Sequence, residues 1–305
     1  MNYIVLDLEW NQNPNIRAKP NKMLPFEIIE IGAVRLDEDR QILDTFQCLI
    51  KPGVYHWIQD TIHQVTHVNY SDLQKGTPFP DAAEEFMKWC GDDFRFCTWA
   101  KQDVAELQRN MRYYYMLDLL PGPVVYLDVQ KLCSLSFEDG KARRSLEYMI
   151  DSLSIKKDLG FHRALADAVY TARIFQRIRP DLLSGYESID VYQNPKSPEE
   201  AVYWQGKGRE KYVSCEYASR EEIMHTRAVT KIYCPVCRSA QLDQKTGWCA
   251  TGARVYQCAA RCPEHGPVIG RLRLRQSQEG NYFAVRTLRQ ADPGEEAQVR
   301  NRLAK

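Results

Sequence analysis

The hydrophobic and polar pattern of the first 50 residues predicts three strands. Tyr3 to Leu8 is a nearly unbroken apolar run, and a polar break follows from Asn11 to Pro14. Phe26 to Leu36 is a second apolar run. Asp37-Glu38-Asp39-Arg40 is a charged turn, and Gln41 to Ile50 is a third run with Ile42, Phe46 and Cys48 in partial alternation. This is an antiparallel meander with a hairpin between its second and third strands, closed by Lys51-Pro52-Gly53. Residues 54–80 are loop-rich, with a weak helical pattern around Asp60 to Val65. Pro80-Asp81 open a helix that carries Phe86 and Trp89 and stops at Gly91. A strand at Phe94 to Trp99 runs into a helix at Lys101 to Met116, where Val104, Leu107, Met111 and Tyr115 recur at three or four residues.

Pro121-Gly122-Pro123 breaks the chain before a strand at Val124 to Leu127 and a helix through Leu135. Ser145 starts a short helix with Leu146, Met149, Ile150 and Leu153, and Phe161 to Ile178 is a strong helix ended by Arg179-Pro180. Three strands followed by strand–helix units predict an α/β domain over residues 1–180, a mixed sheet flanked by helices. Residues 181–230 are richer in Ser, Glu, Pro and Gly. They read as a connector with helices at Glu199 to Trp204 and Arg220 to Arg227. A third part, residues 231–305, holds strand patterns at Gly247 to Thr251, Val255 to Ala259 and Val268 to Leu274.

Charge adds an asymmetry that the pattern does not show. The net charge is only +1, but from Lys231 onward thirteen Lys and Arg stand against six Asp and Glu, so the rest of the chain is acidic. An acidic body with a basic tail makes a polyanionic partner plausible. The N-terminus lacks the basic segment of a secretory signal, and no apolar stretch reaches 18 residues. The expectation is a cytoplasmic protein with no membrane partner. Its ten cysteines are then thiols or metal ligands and not a disulfide framework. Cys48, Cys90, Cys97 and Cys133 stand singly in apolar patterns and read as buried side chains, and Cys215 and Cys249 as spare thiols.

Three constellations carry possible chemistry. Asp7 and Glu9 flank Leu8 near the end of the first strand, so both point to one face. Adjacent carboxylates raise each other's pKa unless a cation lies between them, and oxygen-loving Mg²⁺ or Mn²⁺ suits such a pair. Asp103 follows a strand and opens a helix, where α/β proteins place ligand-facing residues. Asp167 lies among Ala164, Leu165, Ala168 and Ala172 and is costly to bury without a cation or a donor; His162 precedes it by five residues. In the tail, Cys234-Pro235-Val236-Cys237 and Cys262-Pro263-Glu264-His265 are two knuckles with the spacing of a structural Zn²⁺ site. They resemble a zinc ribbon with Cys₃His ligation. Cys258 offers a different fourth ligand; His265 is favoured because it repeats the knuckle form. Arg271, Arg273 and Arg275 alternate with Leu272 and Leu274, giving one arginine face that can grip phosphates or simply face solvent.

Asp7-Leu8-Glu9, then Thr98-Trp99-Ala100-Lys101-Gln102-Asp103, then His162-Arg163-Ala164-Leu165-Ala166-Asp167-Ala168 resembles the three motifs of the DEDDh family. These are DnaQ-like 3′→5′ exonucleases of RNase H-like fold. The opening Asp7 to Gln12, with Phe26 to Glu30, is closest to the branch with ERI-1-like and KapD-like exonucleases. The sister DEDDy group has Tyr four residues before its last Asp; here Arg163 stands there, so the histidine type is favoured. Ala100 stands where relatives often have Gly. The resemblance covers residues 1 to about 180. It implies two Mg²⁺ or Mn²⁺ ions on Asp7, Glu9, Asp103 and Asp167, with His162 as general base. The implied partner is single-stranded nucleic acid with a free 3′ end, cut to nucleoside 5′-monophosphates. The rival expectations are a nucleic-acid-binding adaptor without turnover, or another phosphodiesterase on the same scaffold.

Overall fold

The computed structural model describes residues 1–13, 21–240, 242 and 247–303, so part of the polar segment between Asn11 and Leu24 lies outside the described residues. The chain divides into two compact units, Met1–Tyr192 and Gln193–Lys305.

The first unit is built on strand β1, Asn2–Gln12. It pairs antiparallel with β2, Phe26–Leu36, which pairs antiparallel with β3, Ile42–Lys51. This is the meander that the pattern predicted. Between β3 and the next helix lie two short helices, α1 (Asp60–Thr66) and α2 (Tyr70–Leu73), and a two-residue strand β4 (Thr77–Pro78) beside β3. Helix α3 (Phe79–Cys90) leads to β5 (Phe94–Thr98), which pairs parallel with β1. Helix α4 (Gln102–Tyr113) leads to β6 (Val124–Asp128), parallel to β5. Helices α5 (Val129–Phe137), α6 (Leu146–Ser152) and α7 (Ala164–Phe175) precede an edge strand β7 (Ser188–Asp190). The sheet order is β4-β3-β2-β1-β5-β6-β7.

The period of two on β1 sorts its side chains between two cores. Ile4, Leu6 and Leu8 pack with Phe86 of α3 and Val104, Leu107 and Met111 of α4. Val5 packs on the opposite face with Ala168, Ala172 and Phe175 of α7. Helices on both faces explain why β1 reads as almost unbroken apolar sequence. Asp7 and Glu9 share the parity of Val5 and therefore face α7.

Two helix ends differ from the sequence reading. The stripe predicted to run to Met116 ends at Tyr113; Tyr115 has φ 58° and is 94% exposed, so it is no part of the core face. Tyr114 instead stacks on Phe79. The helix expected from Phe161 starts at Ala164, because His162 has φ 63° and Arg163 is extended.

The expected connector does not hold as one. The stretch predicted as helix at Glu199 to Trp204 keeps only a 3-10 turn at Pro198–Glu200 and then enters strand β8 (Val202–Gly206), which pairs with β9 (Arg209–Val213) through a two-residue turn, Lys207-Gly208. Gly208 has φ 63°, the left-handed conformation this tight hairpin demands. Helices α8 (Arg220–His225) and α9 (Arg227–Thr230) occupy the second helix prediction. The remaining strands are β10 (Cys249–Gly252), β11 (Val255–Cys262), β12 (Gly266–Gln276) and β13 (Tyr282–Gln290), followed by α10 (Pro293–Leu303). They form an antiparallel sheet of order β10-β11-β12-β13-β9-β8. Leu272, Leu274 and Ala284 pack against Ile223 of α8 and Val229 of α9, while Ala259 and Ile269 pack against Val299 of α10. Arg286 of β13 is 2% exposed; its two terminal nitrogens donate to the carbonyls of Ala228, Val229 and Lys231 at the end of α9 and to buried Glu210, while its Nε has no partner among the described residues. Among the described residues no helix is long and apolar enough to cross a membrane.

Candidate active site and metal centres

Carboxylate oxygens of Asp7, Glu9 and Asp167 lie within 4.8 Å of one another. Two sequence-remote features bring them together. The first is Gly32 of β2, directly opposite Asp7 in the antiparallel register. A Cβ on Gly32 would lie 2.1 Å from the backbone of Ala164 and Leu165, so only glycine lets the first turn of α7 close on the sheet. Asp167 sits one turn into that helix. Gly32→Ala is expected to force α7 outward, at a stability cost of about 1–3 kcal/mol. It should lower kcat/KM by about 10²-fold, as a misplacement of roughly 1 Å does. Steady-state kinetics beside a thermal melt checks this; full activity would exclude the close approach.

The second feature is Glu30, which is fully buried and faces α7 two residues before Gly32. Arg163 grips it with two bonds of 3.0 and 2.9 Å, Gln47 donates at 2.7 Å, and the Ala164 N–H approaches at 3.4 Å. Glu30 thereby anchors the start of α7. Arg163 is committed to Glu30 and makes no ion pair with Asp167. A register shift between Glu9 and Trp10 bulges the β1–β2 ladder just beyond the acids, and pairing resumes from Trp10 opposite Ile28 to Gln12 opposite Phe26.

Asp103 is buried on the first turn of α4, beyond the carboxyl end of β5. Its carboxylate is supported by its own backbone N–H and that of Leu8. The turn that delivers it includes Ala100 at φ 79°, held by the Thr98 hydroxyl donating to the Ala100 carbonyl. That left-handed backbone is the physical reason glycine suits this position. His162 is exposed, and its backbone N–H donates to Asp167 Oδ2 at 3.2 Å. Phe161 beside it stacks on Tyr170, whose hydroxyl both accepts from and donates to the Leu159 backbone, fixing the loop that carries His162.

The electrostatics are those of an anion cluster lacking counter-charge. Burial raises Asp7 well above the carboxylate range, and Asp103, Asp167, Glu9 and Glu30 raise it further. Burial, then Asp167, Glu30 and Asp103, push Glu9 up to about 8, with Arg163 opposing. Burial pushes Asp103 up to about 7 against its backbone donors. Burial also raises Asp167, while the His162 backbone N–H and imidazole oppose it. Oδ1 of Asp167 is buried and has no hydrogen-bond partner among the described residues. A divalent ion bound at about 2.0–2.1 Å by oxygen ligands fits this set: it supplies the missing partner and removes the repulsion.

A pH dependence follows. Carboxylic acids whose folded pKa is raised contribute stability below the ordinary carboxylate pKa and lose it as pH rises through the folded values. With Glu9 near 8 and Asp103 near 7, protein dialysed free of Mg²⁺ and Mn²⁺ is expected to lose thermal stability between pH 6 and about 8.5. Added Mg²⁺ should raise Tm more at the upper end than at pH 6. Equal shifts at both pH values would contradict the cluster's electrostatics.

In the second unit Cys234, Cys237, Cys262 and His265 also converge within 4.8 Å. Cys237 Sγ lies 3.8 Å from Cys262 Sγ, which lies 3.7 Å from His265 Nδ1. A tetrahedral Zn²⁺ with Zn–S near 2.3 Å spaces its sulfurs by about 3.8 Å, so the donors stand where zinc needs them. Each knuckle is followed by a left-handed residue, Arg238 at φ 59° and Gly266 at φ 75°. The second knuckle is the turn of the β11–β12 hairpin. Burial alone would raise Cys262, but backbone N–H groups of His265 and Glu264 and the neighbouring ligands bring its thiol down to about 7. Cys258 is outside the cluster, its Sγ packed against Gly270 and its thiol raised by burial.

The sheet with helices on both faces and the acid cluster at its strand ends define the class: a metal-dependent nuclease of RNase H-like architecture. The family model RNase_T, described as Exonuclease, matches residues 4–175, and the chain belongs to this family, in its DEDDh form. It is a 3′→5′ exonuclease, a hydrolase. The chain is 27% identical over 190 residues to the DNA polymerase III subunit epsilon of Aquifex aeolicus (strain VF5), covering 62% of this chain and 86% of that protein. Among solved structures it is similar to the nuclease domain of 3′hExo, a DEDDh family member bound to rAMP. That likeness has a TM-score of 0.50 and 19% identity, and covers 58% of this chain and 90% of the other.

Proposed function

We propose that this protein removes nucleotides one at a time from the 3′ end of single-stranded nucleic acid, releasing nucleoside 5′-monophosphates. The observation that carries this reading is the convergence of Asp7, Glu9 and Asp167 around an unpartnered Asp167 oxygen, with Asp103 adding to the same field. Asp7, Glu9, Asp103 and Asp167 would hold two Mg²⁺ or Mn²⁺ ions, which when bound supply a hydroxide-level nucleophile and charge stabilisation for in-line displacement. His162 is the general base: exposed beside Asp167, it takes the proton of the attacking water. Glu30 and Gly32 position the turn that carries both. The opening motif supports placement in the ERI-1-like and KapD-like branch. The rAMP in the 3′hExo structure is in keeping with a nucleoside monophosphate product. In the second unit, Cys234, Cys237, Cys262 and His265 hold one structural Zn²⁺, making it a zinc-ribbon-like basic module appended to the exonuclease.

The test is a ladder assay. With 5′-labelled single-stranded RNA and DNA in Mg²⁺ or Mn²⁺, the label should appear in products that shorten stepwise from the 3′ end. Internal fragments produced at once would favour an endonucleolytic phosphodiesterase, and binding without any shortening would favour an adaptor.

A further inference from the structure

The second unit contains a cavity of about 450 Å³ on the sheet face opposite Leu272 and Leu274. Five arginines line it: Arg209 of β9, Arg271 and Arg273 of β12, Arg289 of β13 and Arg302 of α10. The acid in its lining, Glu295, is already engaged by Arg289 through bonds of 2.7 and 3.0 Å. No acid faces the β12 pair across the sheet. Arg271 stands opposite Gln257 and Thr287, and Arg273 opposite Val255 and Val285. Among the described residues the side chains of Arg271, Arg273 and Arg302 make no ion pair or hydrogen bond. Burial and the flanking Arg271 and Arg275 push the Arg273 guanidinium below its usual value, a sign of uncompensated repulsion. Gathering like charges over adjacent strands costs stability unless an anion is present.

The spread of the charges selects the anion. Arg271 and Arg273 are two residues apart on one strand, about 6.6 Å. Arg271 and Arg209 lie on strands two steps apart, about 10 Å across the sheet. Guanidinium groups spread over these rows offer contacts to several phosphates at once, as consecutive phosphodiesters present them. The lining holds no aromatic ring, and its apolar members are Ile269, Val285 and Val299. Base stacking is therefore not provided, and recognition is confined to the charged backbone.

We propose that this cavity is a second nucleic-acid site, one that holds the phosphodiester backbone of a single strand without reading its bases. It rests on the exonuclease reading for the identity of the polyanion.

The test uses full-length protein carrying Asp7→Asn to block turnover and a fluorescent 20-nucleotide single strand, with anisotropy read across a salt series. Arg271→Ala/Arg273→Ala is expected to weaken binding at least tenfold at low salt. It should also flatten the plot of log affinity against log salt by about 1.4, roughly 0.7 for each lost phosphate contact. Arg271→Lys/Arg273→Lys should retain most of the affinity, since the charge remains. With Asp7 intact, hydrolysis of a dinucleotide, whose single phosphodiester is taken up by the catalytic centre, should be unchanged by the alanine pair. Unchanged affinity and slope would overturn the proposal, as would an equal loss of dinucleotide hydrolysis. If the parent protein shortens no oligonucleotide in the ladder assay, the exonuclease reading fails, and the anisotropy comparison still decides the cavity.

Discussion

Asp7→Asn is expected to lower kcat/KM on a single-stranded oligonucleotide by roughly 10³-fold or more, while leaving the metal-free protein as stable as the parent or more so. Burial first, and then Asp103, Asp167, Glu9 and Glu30, drive the Asp7 carboxyl well above the ordinary carboxylate range. An amide keeps the shape and removes the charge, so it relieves repulsion in the empty cluster. The same change withdraws a ligand from the ions, whose stabilisation of transition-state charge amounts to several kcal/mol. Activity and metal-free stability should therefore move in opposite directions. A structural carboxylate would move them together, and joint loss of fold and activity would argue against a metal ligand at Asp7.

Replacing Cys262 by Ser is expected to have an effect of similar size on the second unit. Zinc content should fall from one ion per chain to near zero, because serine is a poor fourth donor and the site is built from thiolates and imidazole. Apparent binding energies of structural zinc are about 10–16 kcal/mol in small domains, so the β11–β12 hairpin that Cys262 closes should lose amide protection. Cys258→Ser is the control. That thiol packs against Gly270 outside the cluster, so zinc should be retained in full. Zinc lost by Cys258→Ser and kept by His265→Ala would reassign the fourth ligand from His265 to Cys258.

Much of the catalytic arrangement was legible because it is local. The parity of Asp7 and Glu9 follows from a strand period of two, and Asp103 follows from its place between a strand and a helix. The spacing of the two knuckles likewise pointed to the residues that converge as the Cys₃His cluster. What positions the acids was not legible. Glu30 and Arg163 are 133 residues apart, and nothing in either segment announces the partner. Gly32 read as one small residue in an apolar strand, although the approach of α7 depends on it. In the second unit, β8 and β9 are short, and their sequences mix Gly, charge and aromatic residues, so the stretch resembled a linker. Only the antiparallel pairing of β9 with β13 makes it part of a sheet. The same pairing sets Arg209 beside Arg289 in the cavity, while Arg275, which the strand alternation grouped with Arg271 and Arg273, does not line it.

The most direct test of the central claim is anomalous diffraction from crystals soaked in Mn²⁺. Two peaks about 3.5–4 Å apart are expected among Asp7, Glu9, Asp103 and Asp167, and in Asp7→Asn crystals at least one should vanish. No anomalous density at these carboxylates in crystals of the parent protein, with Mn²⁺ in excess and no chelator present, would contradict the account.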